Sequence, residues 1–320
     1  MTPIVFRCLL VSSLALAPPA GNWQSVVTDC FEIYFHPDKR PAVEELLDEA
    51  DGICADISAD LGKPFPAPTY VWIAADRREF RSIQPEGSRI SEWVAGVAYP
   101  QHRLIILKIE GGGADPEETL KSIFAHETSH IALYHALGGR RPPRWFSEGF
   151  AMYQAREWSL ERASALAYAA VSNSLIPLSR LEDCFPTDLA RARLAYDQSK
   201  EFIAFIISEY GRQALHRIVS ELMAGRDIKA AVKLATGKPF SVVEDEWLAA
   251  IRLHYNWIPL LTASSTLWLL ITLLAVMAYI RYRRRKRARI AAMEESELLY
   301  KLRLLDAHRK DEAKKSDWIH

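Results

Sequence analysis

Three short segments in the first third of the chain have the composition of β-strands, because they are rich in aliphatic, aromatic and β-branched residues. They are 30–35, 70–74 and 104–108, and the first of them alternates between apolar and polar positions. Between the first two, apolar residues recur at helical spacing from Asp38 to Leu61, which predicts an amphipathic helix that begins after Pro41. Residues 21–113 are therefore predicted to form a small sheet lobe.

Helical spacing prevails in the next part of the chain. The segment 121–137 contains no Gly or Pro, and we place the start of its helix near residue 116. The sequence is helical again over 146–254, with breaks where Gly and Pro interrupt the apolar pattern. The predicted breaks are near 175–177, 184–186, 211, 225 and 237–239. A sheet followed by helices predicts the α+β class, with a helical lobe over residues 114–256.

A longer apolar segment, Ile258 to Ile280, has 23 residues and no charge. At 1.5 Å per residue, a helix of that length crosses a hydrocarbon core of about 30 Å. A basic run from Arg281 to Arg289 follows at once, which by the positive-inside rule predicts a cytoplasmic C-terminal side. We predict a transmembrane helix over 257–280 that contacts the lipid bilayer, and the alternative is a buried core helix.

Charge and the start of the chain agree with this topology. Residues 281–320 hold 13 Lys and Arg against 7 Asp and Glu, and the remainder holds 27 against 33. An acidic body with a basic cytoplasmic tail favours a membrane protein and not a partner of nucleic acid. Residues 1–20 are typical of a secretory signal peptide, with an uncleaved anchor as the alternative. We expect a single-pass protein of the cytoplasmic membrane whose main domain lies outside the cytoplasm.

The candidate chemistry is concentrated in the HExxH sequence that runs from His126 to His130. Residues four apart lie on the same face of a helix, so both imidazoles can bind one metal ion. Glu127 lies about 100° around the helix from His126, where its carboxylate can reach a water on that metal without being a ligand. This arrangement suits peptide hydrolysis, because zinc activates the water and the glutamate takes its proton.

A catalytic zinc usually needs a third protein ligand. Gly138-Gly139 stops the first helix, and the chain then turns and enters a helix again near Phe146. Glu148, eighteen residues after His130, is thereby brought back beside the first helix. His135 is the rival third ligand, although it lies off the stripe that faces the metal. Either Arg144 or Ser147 could begin the second helix.

HExxH followed by a helix with the sequence Trp-x-x-Glu-Gly-x-Ala resembles the gluzincin metallopeptidases, most closely the bacterial peptidase MA-like domains. The resemblance covers about Phe31 to His254 and implies a zincin-like fold with Zn²⁺ as cofactor. The residues that it implies as zinc ligands are His126, His130 and Glu148, with Glu127 as general base.

Two positions depart from the gluzincin pattern. Several gluzincins carry an acidic residue four positions after the glutamate ligand to orient the first histidine, and here that position is Met152. The aminopeptidase branch carries a glutamate on the strand before the zinc helix to hold the substrate's free amine. Residues 95–100 contain no acidic residue, which argues against aminopeptidase specificity.

The resemblance also suggests residues that contact the substrate. Gluzincins commonly use a phenol to donate a hydrogen bond to the developing oxyanion, and Tyr196 is the candidate here. The alternative is that Tyr196 packs with Phe202 in the core. A sheet edge near the zinc helix commonly accepts the substrate as an additional strand, and we place that edge at 96–99, with Gly96 and Ala98, or at 104–108.

Cysteine usage is compatible with an exported domain. Cys8 lies in the predicted signal, which leaves Cys30, Cys54 and Cys184. Cys30 and Cys54 could pair between the strand and the helix, and one cysteine would then stay unpaired.

The sequence therefore predicts a membrane-anchored zinc metallopeptidase that hydrolyses bonds of a peptide or protein substrate, preferably as an endopeptidase. The alternative is a catalytically silent gluzincin-like domain that binds a protein or peptide partner at the membrane. No regulatory partner is identifiable from the sequence.

Overall fold

A computed structural model of the chain describes residues 18, 21–88, 90, 94–109, 119–156, 160–255, 268–290, 293, 299 and 301. The chain divides into two compact units, 1–256 and 257–320. The predicted signal peptide, apart from residue 18, and the first part of the predicted membrane helix, 257–267, lie outside the described residues.

The first unit contains a five-stranded mixed sheet. Its strands are β1 (Gln24–Val27), β2 (Phe31–Phe35), β3 (Thr69–Ala74), β4 (Gly96–Tyr99) and β5 (Leu104–Lys108). Their order is β1-β2-β3-β5-β4, in which β2, β3 and β5 run parallel and the two outer strands are antiparallel to their neighbours. The predicted strands are thus confirmed. Of the two strands considered for the sheet edge near the zinc helix, β4 is the outer one and β5 is internal.

Helices make up most of the rest of this unit. They are α1 (Arg40–Leu61), α2 (Arg77–Ser82), α3 (Leu120–Ala136), α4 (Arg144–Gln154), α5 (Leu160–Val171), α6 (Leu189–Tyr210), α7 (Arg212–Met223), α8 (Ile228–Thr236) and α9 (Phe240–Tyr255). Each predicted break in the second half falls between two of these helices. At Gly211 and Gly225 the backbone has positive φ, which glycine adopts without a steric penalty.

The core lies mainly between the sheet and helices α1 and α3. Every residue of β3 and β5 is buried, because both faces of the sheet are covered at its centre. On one face, Ile105 and Leu107 pack with Phe124 of α3, and on the other, Trp72 packs with Phe80 of α2. The helix that carries the HExxH residues is therefore fixed directly on the sheet by buried apolar side chains.

Two helix starts differ from the sequence-based expectations, and two elements were not expected. Helix α3 begins at Leu120 and not near residue 116, because Thr119 caps it: the Thr119 side chain accepts a hydrogen bond from the Ser122 backbone N–H, and Ser122 bonds back. Pro41 lies inside the first turn of α1, where a missing N–H costs no helical hydrogen bond. Strand β1 and helix α2 were not predicted, because β1 is short and half exposed and α2 has six residues.

In the second unit, residues 268–290 form a helix whose large apolar side chains are exposed. Within the described residues, no helix combines the length and apolar character that crossing a membrane requires.

Cys30 and Cys54 form a disulfide that joins the start of β2 to α1, and Cys184 is an exposed free thiol. Replacing both Cys30 and Cys54 by serine should lower the free energy of unfolding by about 3 kcal/mol, because the bond closes a loop and restricts the unfolded chain. The measurement is chemical denaturation without reductant, with Cys184→Ser as the control that should leave stability unchanged. Equal stability of the double variant and the wild type would contradict this expectation.

Candidate metal centre

His126 and His130 lie one turn apart on α3 and direct their ring nitrogens to the same point. Their Nε2 atoms are 3.3 Å apart. The Nδ1 atom of His130 lies 3.2 Å from the Ser147 hydroxyl of α4. When Nε2 of His130 acts as a metal ligand, the ring proton lies on Nδ1, from which it can be donated to the Ser147 hydroxyl and orient the ring.

Helix α4 brings Glu148 to this pair. The chain leaves α3 through Gly138 and Gly139, both with positive φ, and α4 then begins at Arg144. The Oε2 atom of Glu148 lies 3.7 Å from Nε2 of His126 and 3.8 Å from Nε2 of His130. The three candidate ligand atoms all lie within 4.8 Å of one another.

The position of Glu148 depends on a close packing contact at the next residue. A Cβ atom at Gly149 would lie 2.5 Å from the carbonyl oxygen of Ser199 on α6. Trp145 and Phe150 of the same helix are fully buried. Glycine at 149 therefore lets α4 pack backbone against backbone on α6, and this contact sets the height of Glu148 over α3.

Arg144 is a site residue that the sequence reasoning considered only as a helix start. Its Nε lies 3.6 Å from Oε1 of Glu148, and its guanidinium lies 5.0 Å from the centroid of the Phe185 ring. The spacing of four residues between Arg144 and Glu148 on one helix is the signal that could have revealed this pair.

The electrostatics of the centre favour metal binding at neutral pH. Burial, together with His126 and Arg144, lowers the pKa of His130 to about 4 despite the opposing charge of Glu148, so its imidazole is neutral. Burial alone would raise the pKa of Glu148, but the hydrogen bond from His126 and the charges of His130, His126 and Arg144 lower it to about 2. The imidazole of His130 and the carboxylate of Glu148 are thus in the protonation states that metal ligands need.

This donor set fits zinc. Two imidazole nitrogens bound to tetrahedral zinc at about 2.0 Å are expected to lie about 3.3 Å apart, which is the separation of the two histidines. The Oε2 atom of Glu148 is slightly farther from the two nitrogens, at 3.7 and 3.8 Å. Two histidines and one glutamate leave a fourth position for water or substrate, as catalytic zinc sites require.

The centre lies in a cleft of about 1080 Å³. One wall is the outer edge of β4, and Glu127 lies beneath it: a Cβ atom at Gly96 would be 2.9 Å from Cγ of Glu127 and 2.6 Å from Cγ2 of Ile123. Gly96 and Ala98 therefore present backbone to the cleft beside the predicted general base. Among the described residues, no further strand pairs with β4.

Tyr196 of α6 lies near the same centre. Its ring packs edge-on against Phe185, with centroids 4.7 Å apart, and Phe202 belongs instead to a buried aromatic cluster with Trp145 and Trp247. Burial raises the pKa of Tyr196, and the charges of Glu148 and Glu127 raise it further, against the charge and hydrogen bond of Arg144. The Tyr196 hydroxyl thus keeps its proton at neutral pH.

The structure does not bring His135, the rival third ligand, to the cluster. His135 is exposed and its Nε2 lies 3.0 Å from the carbonyl oxygen of Pro100. At the position where several gluzincins have an acid, Met152 is buried, and its sulfur lies 3.8 Å from Arg162. Arg162 in turn forms an ion pair with Asp197 at 2.7 Å, so the charged group that contacts Met152 is already paired with a carboxylate.

Comparison with known proteins agrees with this geometry. Residues 57–253 match the family model of the peptidase MA superfamily, and because this is more than half of the chain, the protein belongs to that superfamily. No curated protein matches the sequence. Among solved structures, a mutant of a two-domain M1 zinc metallopeptidase bound to L-arginine is similar, with 14% identity and a TM-score of 0.42. The likeness covers 72% of this chain and 51% of that one, so this chain spans about half of its length.

The packing at Gly149 leads to a testable expectation. Gly149→Ala should lower the free energy of unfolding by about 1–3 kcal/mol, because the added methyl group overpacks the contact with Ser199. The same displacement should weaken zinc binding, measured against a competing chelator. Gly52→Ala is the matched control: nothing lies within 4 Å of its added Cβ, and it should stabilise α1 by up to about 1 kcal/mol. Wild-type zinc affinity in Gly149→Ala would contradict the role given to this contact.

Proposed function

We propose that this protein is a zinc metallopeptidase that hydrolyses peptide bonds. The observation that carries the proposal is the convergence of His126, His130 and Glu148 at zinc-ligand spacing, with Glu127 beside them in an open cleft. Membership of the peptidase MA superfamily supports it.

Each residue of the candidate site has a separate role in the proposed reaction. Zinc held by the three ligands would lower the pKa of a coordinated water and polarise the scissile carbonyl. Glu127 accepts the proton of the attacking water and passes it to the leaving amine. Tyr196 donates a hydrogen bond to the oxygen that becomes negatively charged.

The cleft favours an endopeptidase. We propose that the substrate adds to the free edge of β4 as an antiparallel strand, with main-chain hydrogen bonds beside Gly96 and Ala98. Residues 95–100 contain no carboxylate to hold a free amino terminus, so a peptide can continue past this wall in both directions.

We also propose that the protein is anchored in the cytoplasmic membrane by residues 257–280, with residues 1–20 as export signal. The uncharged run of 258–280 and the basic segment after it support this placement. The described part of that run is helical and exposes its large apolar side chains. The peptidase unit would then face the periplasm or the cell exterior.

A catalytically silent domain that binds a peptide at the membrane is the second candidate. The absence of an acid at position 152 favours it, because the first histidine lacks that partner of several gluzincins. The presence of Glu127 and the complete ligand set favour the enzyme.

Glu127→Gln should keep the metal site but abolish turnover, since an amide cannot accept the proton of water. We expect the full-length chain, purified in detergent and loaded with zinc, to lose cleavage of a diverse peptide library by at least about 100-fold. Mass spectrometry of the products measures cleavage and metal analysis measures zinc.

The control for that variant is Glu161→Gln, an exposed residue of α5, which should cleave like wild type. Zinc bound without cleavage by wild type would favour the silent domain, and a wild-type chain that binds no zinc would refute the ligand assignment.

Tyr196→Phe should lower kcat by about 100-fold or more with little change in KM, because it removes one oxyanion donor and keeps the ring against Phe185. Steady-state kinetics on a peptide found by the library measure both constants. Tyr168→Phe, at an exposed site, controls for loss of a phenol. Unchanged kcat in Tyr196→Phe would refute the role of oxyanion donor and show that Tyr196 only packs against its neighbours.

A further inference from the structure

Arginines are concentrated along the cleft. Four of them line it: Arg140, Arg141, Arg144 and Arg226. Arg144 belongs to the candidate metal centre, because its Nε lies 3.6 Å from Oε1 of Glu148. The other three lie where the loop after α3 meets the loop between α7 and α8, and we call these three residues the basic end of the cleft.

Two side chains of the basic end are held in place by the fold. The Nε of Arg140 donates to the carbonyl oxygen of Met223 at 3.1 Å, and its guanidinium lies 3.4 Å from where a Cβ atom of Gly225 would be. Arg226 pairs through its Nε with Glu221. Each arginine thus uses one donor within the fold, and among the described residues its other guanidinium N–H groups form no hydrogen bond.

Arg141 differs from both neighbours. It is exposed and lines the cleft, and in the part of the chain that the structure describes it forms no hydrogen bond and no ion pair. All five N–H donors of its guanidinium are therefore available to a ligand.

Acidic residues neutralise only part of the charge at this end. Glu221 pairs with Arg226, and next to it the carboxylate of Asp227 caps α8, where it accepts a hydrogen bond from the Ala230 backbone N–H at 2.8 Å. Glu182 and Asp183 lie beside Arg144 instead, since the carbonyl oxygen of Glu182 accepts a hydrogen bond from the Arg144 backbone N–H at 2.7 Å. The three arginines of the basic end against Glu221 and Asp227 leave one net positive charge there.

We propose that the basic end binds a carboxylate of the peptide substrate, with Arg141 as its main contact. This proposal rests on the peptidase function and names its substrate class: peptides that carry an acidic side chain or a free C-terminal carboxylate at this end of the cleft. Guanidinium groups suit carboxylates because their paired N–H donors match the two carboxylate oxygens, and the charge strengthens both bonds.

Binding can be tested without cleavage in the full-length Glu127→Gln chain loaded with zinc. Rhodamine-labelled peptides of one sequence would be made in three forms. The first two have an amidated C-terminus and carry either Asp or Asn, placed at successive positions in turn. The third form carries Asn and has a free C-terminus. We expect at least one carboxylate form to bind about tenfold more tightly than its neutral twin, as fluorescence anisotropy measures. The Asp peptides and the free C-terminus show which carboxylate the site takes.

Arg141→Gln in the same background should reduce that preference to nearly equal affinities without lowering the melting temperature, because Arg141 holds no partner within the described structure. Arg217→Gln, an exposed arginine of α7 that does not line the cleft, is the matched control and should keep the preference. A preference that survives in Arg141→Gln, equal binding of all peptides, or no binding of any overturns the proposal.

Failure of the proposed peptidase function gives a different result. If the wild type cleaves none of these peptides, but the preference is present and is lost in Arg141→Gln, the carboxylate site stands and only the catalytic activity is refuted. If the wild type cleaves acidic and neutral peptides with equal kcat/KM and binds them equally, the peptidase stands and the carboxylate site is refuted.

Discussion

The contact between the backbones of α4 and α6 is the constraint on which the metal centre depends. Gly149 has no Cβ, and Ser199 opposite it turns its hydroxyl back to the carbonyl oxygen of Ala195 in its own helix. Both helices can therefore meet without a side chain between them. Because Glu148 is adjacent to Gly149, the distance between α4 and α6 also determines how close the Glu148 carboxylate lies to the two histidines of α3.

The same packing keeps the charged and ligating groups of the candidate centre close together. Buried apolar residues hold α3 on the sheet and α4 on α6, so neither helix can relax to separate the histidines from the glutamate. Arg144 then offsets part of the cost of burying the Glu148 carboxylate, and its charge also acts on Tyr196. One guanidinium is thus coupled electrostatically to both a candidate metal ligand and the candidate oxyanion donor.

Much of the candidate site was predictable from the local periodicity of the sequence. The HExxH spacing predicts two histidines on one face because a helix repeats every 3.6 residues, and Gly138-Gly139 predicts the turn that returns the chain to Glu148. The order of the strands was not predictable, because β4 and β5 are both short and pairing depends on contacts distant in sequence. The start of α3 at Leu120 was not predictable from apolar spacing, because it depends on Thr119 and Ser122, which cap each other.

Residue 96 joins two parts of the molecule that are distant in sequence. One wall of the cleft comes from residues 96–102, early in the chain, whereas the candidate metal ligands are His126, His130 and Glu148. Any side chain at position 96 would press on Glu127 and Ile123. At this glycine the shape of the cleft wall and the position of the Glu127 carboxylate therefore cannot be changed independently.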